Sequence, residues 1–343
     1  MKYSQVTIKD IARELGISPS TVSRALKDHP DISRETKRAV NELAERLNYQ
    51  PNVVALSLRS RKTRTIGVVI PEVVHFFFST VISGIEHEAN AAGYSVILTQ
   101  SVESLEREKA ALRTLFNSRV DGYLISISRE TSQFDHILPI LEKGLPLVFF
   151  DRRYPPGNAN MVLVDDYHGA RQAVRHLIDQ GCRRIAHIYA APALDLSQQR
   201  LQGYRDALAE KGLPVSEDLQ LSCDEGTIAA GVQAAEKLFS SSQPPDGIFT
   251  NNDVLAIGAC QVIKSLGLKI PEDIAVVGFS NWIYSQMTDP PLSSVDQPGF
   301  EMGREAARML LRLIHHDPDL PPLDPESRVL QTSLVIRESS ARR

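Results

Sequence analysis

The chain has 343 residues, 42% hydrophobic, 23% charged and 6% aromatic, enough for two or three domains that each bury a core. That balance excludes long disorder, collagen-like repeats and low complexity, and no run of 18 apolar residues is present to span a membrane. The net charge of −4 hides an asymmetry: residues 1–64 hold 13 Lys and Arg against 7 Asp and Glu, a segment charge of +6, and the remainder carries −10. A small basic module on a large acidic body predicts a head that binds a polyanion, because the body would be repelled by the same partner. The opening MKYSQVTIKD has no apolar signal-peptide core, so a cytoplasmic location is expected. Cys182, Cys223 and Cys260 lie far apart and form no CxxC pair, so neither a disulfide framework nor a zinc cluster is expected, and no metal or cofactor.

In the basic segment, Thr7 and Asp10 have capping-box spacing, and Ile8, Ile11, Ala12 and Leu15 form one helical stripe that Gly16 ends. Ser18 caps a second helix with Pro19 in its first turn. There Val22, Ala25 and Leu26 share a face, and Ser20, Arg24 and Lys27 point the other way. A third helix starts at Ser33 and carries Val40, Leu43, Ala44 and Leu47 on its apolar stripe. Two short helices joined at a glycine have helix-turn-helix form, whose second helix fits the DNA major groove. Ser20 can donate to or accept from a base edge, and Arg24 can fork onto guanine. Ser18, Thr21 and Ser23 are short donors suited to phosphates. On spacing alone, a plain helical bundle with a solvated basic face fits as well.

The next stretch, residues 51–64, holds Val53, Val54, Leu56 and Leu58 between a proline and four cations. A helix this short is marginal alone and makes sense if it folds on a charged partner; otherwise it is a linker. TIKDIARELGISPSTVSRALKD, followed by ISRETKRAVNELAERLNYQPNVVALSLRSRKTRTIGVVIP, closely resembles the DNA-binding head and hinge of the lactose-repressor (LacI/GalR) family over some sixty residues. The resemblance implies base contacts at Pro19, Ser20 and Arg24, with Leu58 as a minor-groove wedge and Ala55 beside it. Two residues depart from the family pattern: Pro19 has no polar side chain to read a base, and Leu56 replaces a commonly basic residue.

From Ile66 onward, β-branched runs alternate with helical stretches of 10 to 18 residues, several closed by glycine (Gly93, Gly144, Gly181, Gly212, Gly267). Strands are expected at Ile66–Ile70, Ser95–Thr99, Gly122–Ser126, Leu147–Phe150, Met161–Val164, Ile185–Tyr189, Gly247–Thr250 and Ile274–Gly278. Alternating β and α predicts doubly wound parallel sheets, and eight or more strands suit two sheets better than one. The fold class is thus an all-α helix-turn-helix head on a two-lobed α/β body. The expected domains are residues 1–50 for the head, 51–64 for the hinge and 65–343 for the body. The N-lobe takes about 65–164 and 293–318, the C-lobe 165–292 and 319–343. Ligands of such folds bind outside the carboxyl ends of the strands, here between the lobes. Aromatic plates at Phe76–Phe78, with polar strand-ends at Asp151–Arg152, Asp165–Asp166 and Asn251–Asp253, describe a sugar or nucleoside pocket. Asn252 and Asp253 could instead cap a helix, and Phe77 could be core.

VDGYLIS, FDRR, VLVDDYHGARQAVRHLIDQGCRRIAHI, TNNDVLAIGA and PEDIAVVGFSN extend the resemblance through the body, which looks like a periplasmic-sugar-binding-protein fold. By that similarity the effector-facing positions are Phe77, Phe78, Ser126, Asp151, Asp165, Arg200, Asn252, Ser280 and Gln297. Arg200 is the family's arginine for effector oxygens. Ser280 stands where the family usually has aspartate, and His75 replaces a common asparagine, which weighs against a simple hexose. An α/β enzyme is disfavoured: GxGxxG, GxxxxGK[ST] and GxSxG are absent, and Ala91 spoils an HExxH at His87–Glu88. A solute-binding protein of transport is disfavoured by the basic head. The expectation is a homodimeric regulator of transcription, a repressor, binding a pseudo-palindromic double-stranded DNA operator under control of a sugar or related metabolite.

Overall fold

The computed structural model describes residues 6–49 and 62–342, which form two separate units, Met1–Arg64 and Thr65–Arg343. Among the described residues no helix is long and apolar enough to cross a membrane.

The head holds three helices, α1 (Ile8–Leu15), α2 (Pro19–Leu26) and α3 (Arg34–Arg46). Each starts where a side chain replaces a missing backbone partner. Asp10 Oδ2 accepts from Thr7 N at 2.9 Å and Thr7 Oγ1 at 2.7 Å, Ser18 accepts from Thr21 N at 3.1 Å, and Ser33 accepts from Thr36 N at 3.2 Å. Gly16, at φ +63°, supplies the left-handed residue that turns α1 toward α2. The apolar stripes converge as the periodicity predicts: Ile11, Ala12, Val22, Ala25, Val40, Leu43 and Ala44 form one buried core.

The body contains two six-stranded sheets. The first has the order β2-β1-β3-β4-β5-β11: β1 (Thr65–Ile70), β2 (Ser95–Gln100), β3 (Gly122–Ile125), β4 (Leu147–Phe150), β5 (Asn160–Val164) and β11 (Ser327–Leu330), all pairs parallel. The second has the order β7-β6-β8-β9-β10-β12: β6 (Ile185–Ala190), β7 (Gln220–Cys223), β8 (Gly247–Thr250), β9 (Ala275–Phe279), β10 (Ser293–Asp296) and β12 (Ser333–Val335). Only β12 in this second sheet runs antiparallel to its neighbour. Strand alternation sends side chains to both faces: Ile66, Val68 and Ile70 enter one core with Leu124, Val148 and Phe150, and Val69 enters the other with Tyr123, Ile125 and Phe149.

Helices cover both faces: α4 (Phe76–Ala91), α5 (Leu105–Asn117), α6 (Leu138–Glu142) and α11 (Gly299–Ile314) belong to the first lobe. The second lobe has α7 (Asp166–Asp179), α8 (Asp195–Glu210), α9 (Ile228–Phe239) and α10 (Asp253–Ser265). Helices α4 and α11 pack backbone to backbone: a Cβ on Gly84 would overlap Phe300 O, and one on Gly303 would overlap Val81 O.

All eight expected strands form within a residue or two of their expected ends. The edge strands β7, β11 and β12 and the interior strand β10 were not expected; the three edge strands are short, half exposed and without strong apolar alternation. The lobe boundaries need correction. The first crossing falls at Asp165 as expected. Residues 293–296, however, pair with β9 in the second sheet, so the return crossing comes at Gln297–Pro298. The chain stays in the first lobe through α11 and β11, which pairs with β5, and crosses finally at Gln331–Thr332 rather than in the loop 317–325. Ladder pairing on either side decides sheet membership.

Candidate functional site

At α2, Ser18, Pro19, Ser20, Arg24 and Lys27 are exposed, and Thr21 and Ser23 are half-buried. Ser18 is committed to its cap, with its Oγ 2.7 Å from Ser20 Oγ and 2.8 Å from Thr21 Oγ1. Arg24 and Lys27 have no ion-pair partner among the described residues, whereas Arg13, Lys37, Arg38 and Arg46 pair with Asp10, Asp28, Glu42 and Glu14. The cations on this face are thus free to meet an outside anion. Ala55 and Leu58, the expected hinge contacts, lie outside the described residues.

In both sheets the winding reverses beside the first strand, between β1 and β3 and between β6 and β8. Such reversals open a crevice at the carboxyl ends of the strands. There a cleft of about 800 Å³ lies between the lobes. The first lobe contributes His75, Phe77 and Phe78 after β1, Glu103 after β2, Arg129 after β3, and Asp151 with Arg152 after β4. The second contributes Ser197 and Arg200 from α8, Asn251 to Asp253 after β8, Ser280 and Trp282 after β9, and Gln297 after β10.

Each deep charge but one is hydrogen-bonded by protein groups. Arg200, 4% exposed, donates through Nε to Asp166 Oδ1 at 2.8 Å, with Nη2 ion-paired to the same oxygen at 2.6 Å, donates through Nη1 to Asn251 O at 2.5 Å, and lies 3.7 Å above the Phe279 ring. Arg152 forks onto Glu103 at 2.7 and 2.6 Å and donates to Ile127 O at 2.7 Å, leaving its buried Nε unpartnered. Burial pushes the Glu103 carboxyl up, but the Arg152 fork outweighs it and the net shift is downward. Asp253 accepts from Trp282 N, Ser285 Oγ and Ser294 Oγ, each at 2.6 Å, which ties the loop after β9 to the start of α10. Burial still pushes Asp253 up to about 6.

Asp151 is the exception: 7% exposed, at φ +64°, it receives no hydrogen bond from any described residue, and Arg152 Nε stands 3.8 Å away. Burial pushes its carboxyl up to about 6. Two contacts span the lobes at the cleft mouth, Arg129 Nη1 to Asp224 O at 2.8 Å and Arg153 Nε to Asp195 Oδ2 at 3.1 Å.

The structure brings Phe77, Phe78, Asp151, Arg200, Asn252, Ser280 and Gln297 together on the cleft wall. Two expected positions are elsewhere. Ser126 continues β3, its N donating to Val69 O at 2.9 Å, and its Oγ is buried within the lobe without a partner. Asp165 caps α7 by accepting from His168 N at 2.9 Å, and lines a separate 100 Å³ cavity at the lobe junction. Asn252 does both things foreseen for it: its Oδ1 caps α10 while the residue faces the cleft. Sequence reasoning missed Glu103 and Arg129, which sit in loops whose course depends on tertiary packing. It also missed Trp282, the single tryptophan of the chain, whose rarity was a usable signal.

Comparisons with known proteins agree with this arrangement. Residues 7–52 match the family described as bacterial regulatory proteins, lacI family, and residues 174–340 match the periplasmic binding protein-like domain. The chain is 33% identical to catabolite control protein A of Priestia megaterium, over 91% of this chain and 93% of that one. It is also 33% identical to the HTH-type transcriptional repressor CytR of Escherichia coli K12, over 97% and 96%. Among solved structures, the lac repressor dimer bound to operator and the anti-inducer ONPF superposes with a TM-score of 0.86 at 25% identity, covering 99% of this chain and 100% of that one. The transcriptional regulator CelR in complex with cellobiose gives 0.72 at 30% identity, covering 98% and 100%. The chain therefore belongs to the LacI family of bacterial regulatory proteins, non-enzymatic transcription regulators that bind DNA and answer to small-molecule effectors.

Proposed function

We propose that the protein works as a homodimeric repressor whose two heads occupy successive major grooves of a pseudo-palindromic operator, released or fastened by a ligand in the inter-lobe cleft. One observation carries the reading: both lobes build the cleft wall and the chain crosses between them three times, so a ligand that bridges the cleft bears on the lobes' relation. Arg24 and Ser20 read base edges, Lys27, Thr21 and Ser23 meet phosphates, and Ser18 holds the helix start that presents them. In the body, Arg200, Asn252 and Gln297 donate to the effector, Asp151 and Ser280 accept from it, and Phe77 and Phe78 supply apolar plates. The coupling between effector and operator is about 1–3 kcal/mol, the range of two-state regulators.

Dimerisation is supported by the free edge of the first sheet. Ile97 and Leu98 on β2 are exposed, with Val73, Val74 and Phe116 exposed in the same lobe. The family also includes a solved dimer on operator DNA. Selection of genomic fragments by the purified full-length protein, titrated across salt with and without a small-molecule extract, tests the whole reading. A pseudo-palindrome enriched about 10³-fold or more, with steep salt dependence and an affinity that the extract changes, supports it. Enrichment without symmetry, or symmetry that no extract modulates, breaks the dimer or the effector half.

A further inference from the structure

We infer that Asp253 is the positioning residue of the loop after β9: it fixes Trp282 in the cleft wall and joins that wall to the exposed face at Ile283, Tyr284 and Met287. The consequence for the effector response rests on the reading above; the placement of the loop does not.

The loop needs an outside constraint. Ser280, at φ +95°, and Asn281, at φ +47°, take left-handed backbone, which a serine adopts only when its surroundings impose it. After them comes one turn of 3-10 helix, Ile283–Gln286, too short to persist without tertiary support. That support converges on one carboxylate. Asp253 stands in the first turn of α10, 1% exposed. Its Oδ2 accepts from Trp282 N and Ser285 Oγ and its Oδ1 from Ser294 Oγ, each at 2.6 Å. Ser294 Oγ in turn accepts from Asn281 N at 2.9 Å, so the tie reaches the left-handed pair as well.

These bonds are strong for a physical reason. Each has an ionised acceptor, and the start of α10 adds favourable partial charge. Ser285 and Ser294 are fully buried, so their hydroxyls have no access to solvent in place of the carboxylate. Room for the group is kept by glycine: a Cβ on Gly278 would lie 2.1 Å from Asp253 Oδ1. With both oxygens taken by these donors, Asp253 acts through the loop rather than on an effector.

What it holds faces two ways. Trp282 and Ser280 line the cleft. The Trp282 ring meets Tyr284 edge to face, with centroids 4.7 Å apart and planes at 82°. Tyr284 is exposed, as are Ile283 and Met287. A displacement of Trp282 on the cleft side is therefore passed to the lobe surface.

Trp282 is the single tryptophan of the chain, so its fluorescence in the full-length protein reads the loop with no ligand added. Asp253→Ala strands all three donors, and the acrylamide quenching constant rises about twofold or more as the loop opens locally. The amount of small-molecule extract of native cells needed for half the change in operator affinity rises about tenfold. Asp253→Asn, whose amide oxygen still accepts from Trp282 N, restores at least half of the quenching difference. Leu255→Ala, a core truncation two residues along α10, lowers Tm but leaves quenching at the parent value. Far-UV circular dichroism reports folding; should Asp253→Ala not fold, Ser285→Ala gives a smaller rise in the same direction. Parent-like quenching in the folded variants, or a rise that follows Tm with Leu255→Ala included, overturns the positioning role. A raised quenching with the parent's extract response overturns the link to the effector. A parent that no extract modulates counts against the effector reading alone.

Discussion

The face of α2 and the floor of the cleft use arginine in opposite ways. On α2, Arg24 and Lys27 are exposed and have no ion pair among the described residues, though Arg13, Lys37, Arg38 and Arg46 of the head are paired. In the cleft, Arg152 and Arg200 are buried and each is engaged by a carboxylate of the body. A free, solvated cation loses little by staying unpaired and is available to a polyanion, with a binding strength that falls as salt rises. A buried, paired guanidinium is a fixed dipolar wall whose remaining N–H groups orient a ligand without adding net charge. The same residue type is thus available to an outside anion at one site and already engaged by the body's own carboxylates at the other.

Four substitutions break or sharpen that contrast. Arg200→Ala has the largest effect, because it strands Asp166 inside the protein; it costs about 3–5 kcal/mol in urea unfolding and abolishes the effector response. Adding Asp166→Asn recovers part of that stability, and a double variant no better than the single one would show that the buried charge is not the cause. Asp151→Asn acts through pH. Burial raises this carboxyl from its ordinary 3.8 to about 6. The folded protein then holds the proton longer than the unfolded chain, so the contribution is whole below pH 4 and is lost as pH rises through 6. Relative to the parent, the variant gains about 3 kcal/mol between pH 4 and 7, and parallel stability curves would refute it.

Arg24→Ala, by contrast, changes head stability by no more than about 0.5 kcal/mol. It costs about 1–3 kcal/mol on the cognate site and relaxes preference at one base pair. Equal losses on cognate and scrambled DNA would make Arg24 a phosphate contact. Lys27→Ala has the smallest effect: binding weakens evenly across sequences and the salt slope drops by about one ion, measured by titration at several salt concentrations.

The head was almost wholly legible in the sequence. Thr7, Ser18 and Ser33 as caps, Gly16 as stop, and the stripes from Ile11 to Ala44 are local signals whose meaning depends on residues three or four away. In the body, the central strands and the glycine stops were legible for the same reason; Gly93, Gly144, Gly181, Gly212 and Gly267 all adopt positive φ. Less was legible where partners are remote. The strand Ser293–Asp296 carries no local mark of which sheet it joins, and its pairing with β9 moved the return crossing to Gln297–Pro298.

The cleft shows the limit most plainly. Seven of the nine expected effector positions line it, because the family pattern places them at strand ends. Whether those side chains are free or engaged was not readable. Arg200 meets Asp166 across 34 residues and Arg152 meets Glu103 across 49. Asp151, written beside an arginine in the chain, ends without a hydrogen bond because that arginine forks the other way. Sequence alone determined the head helices, eight of the strands, the two-part charge and the family, since these follow from periodicity, composition and local motifs. Tertiary structure decided which charges are engaged and which remain available, because pairing depends on burial and on distances of a few ångströms between residues far apart along the chain.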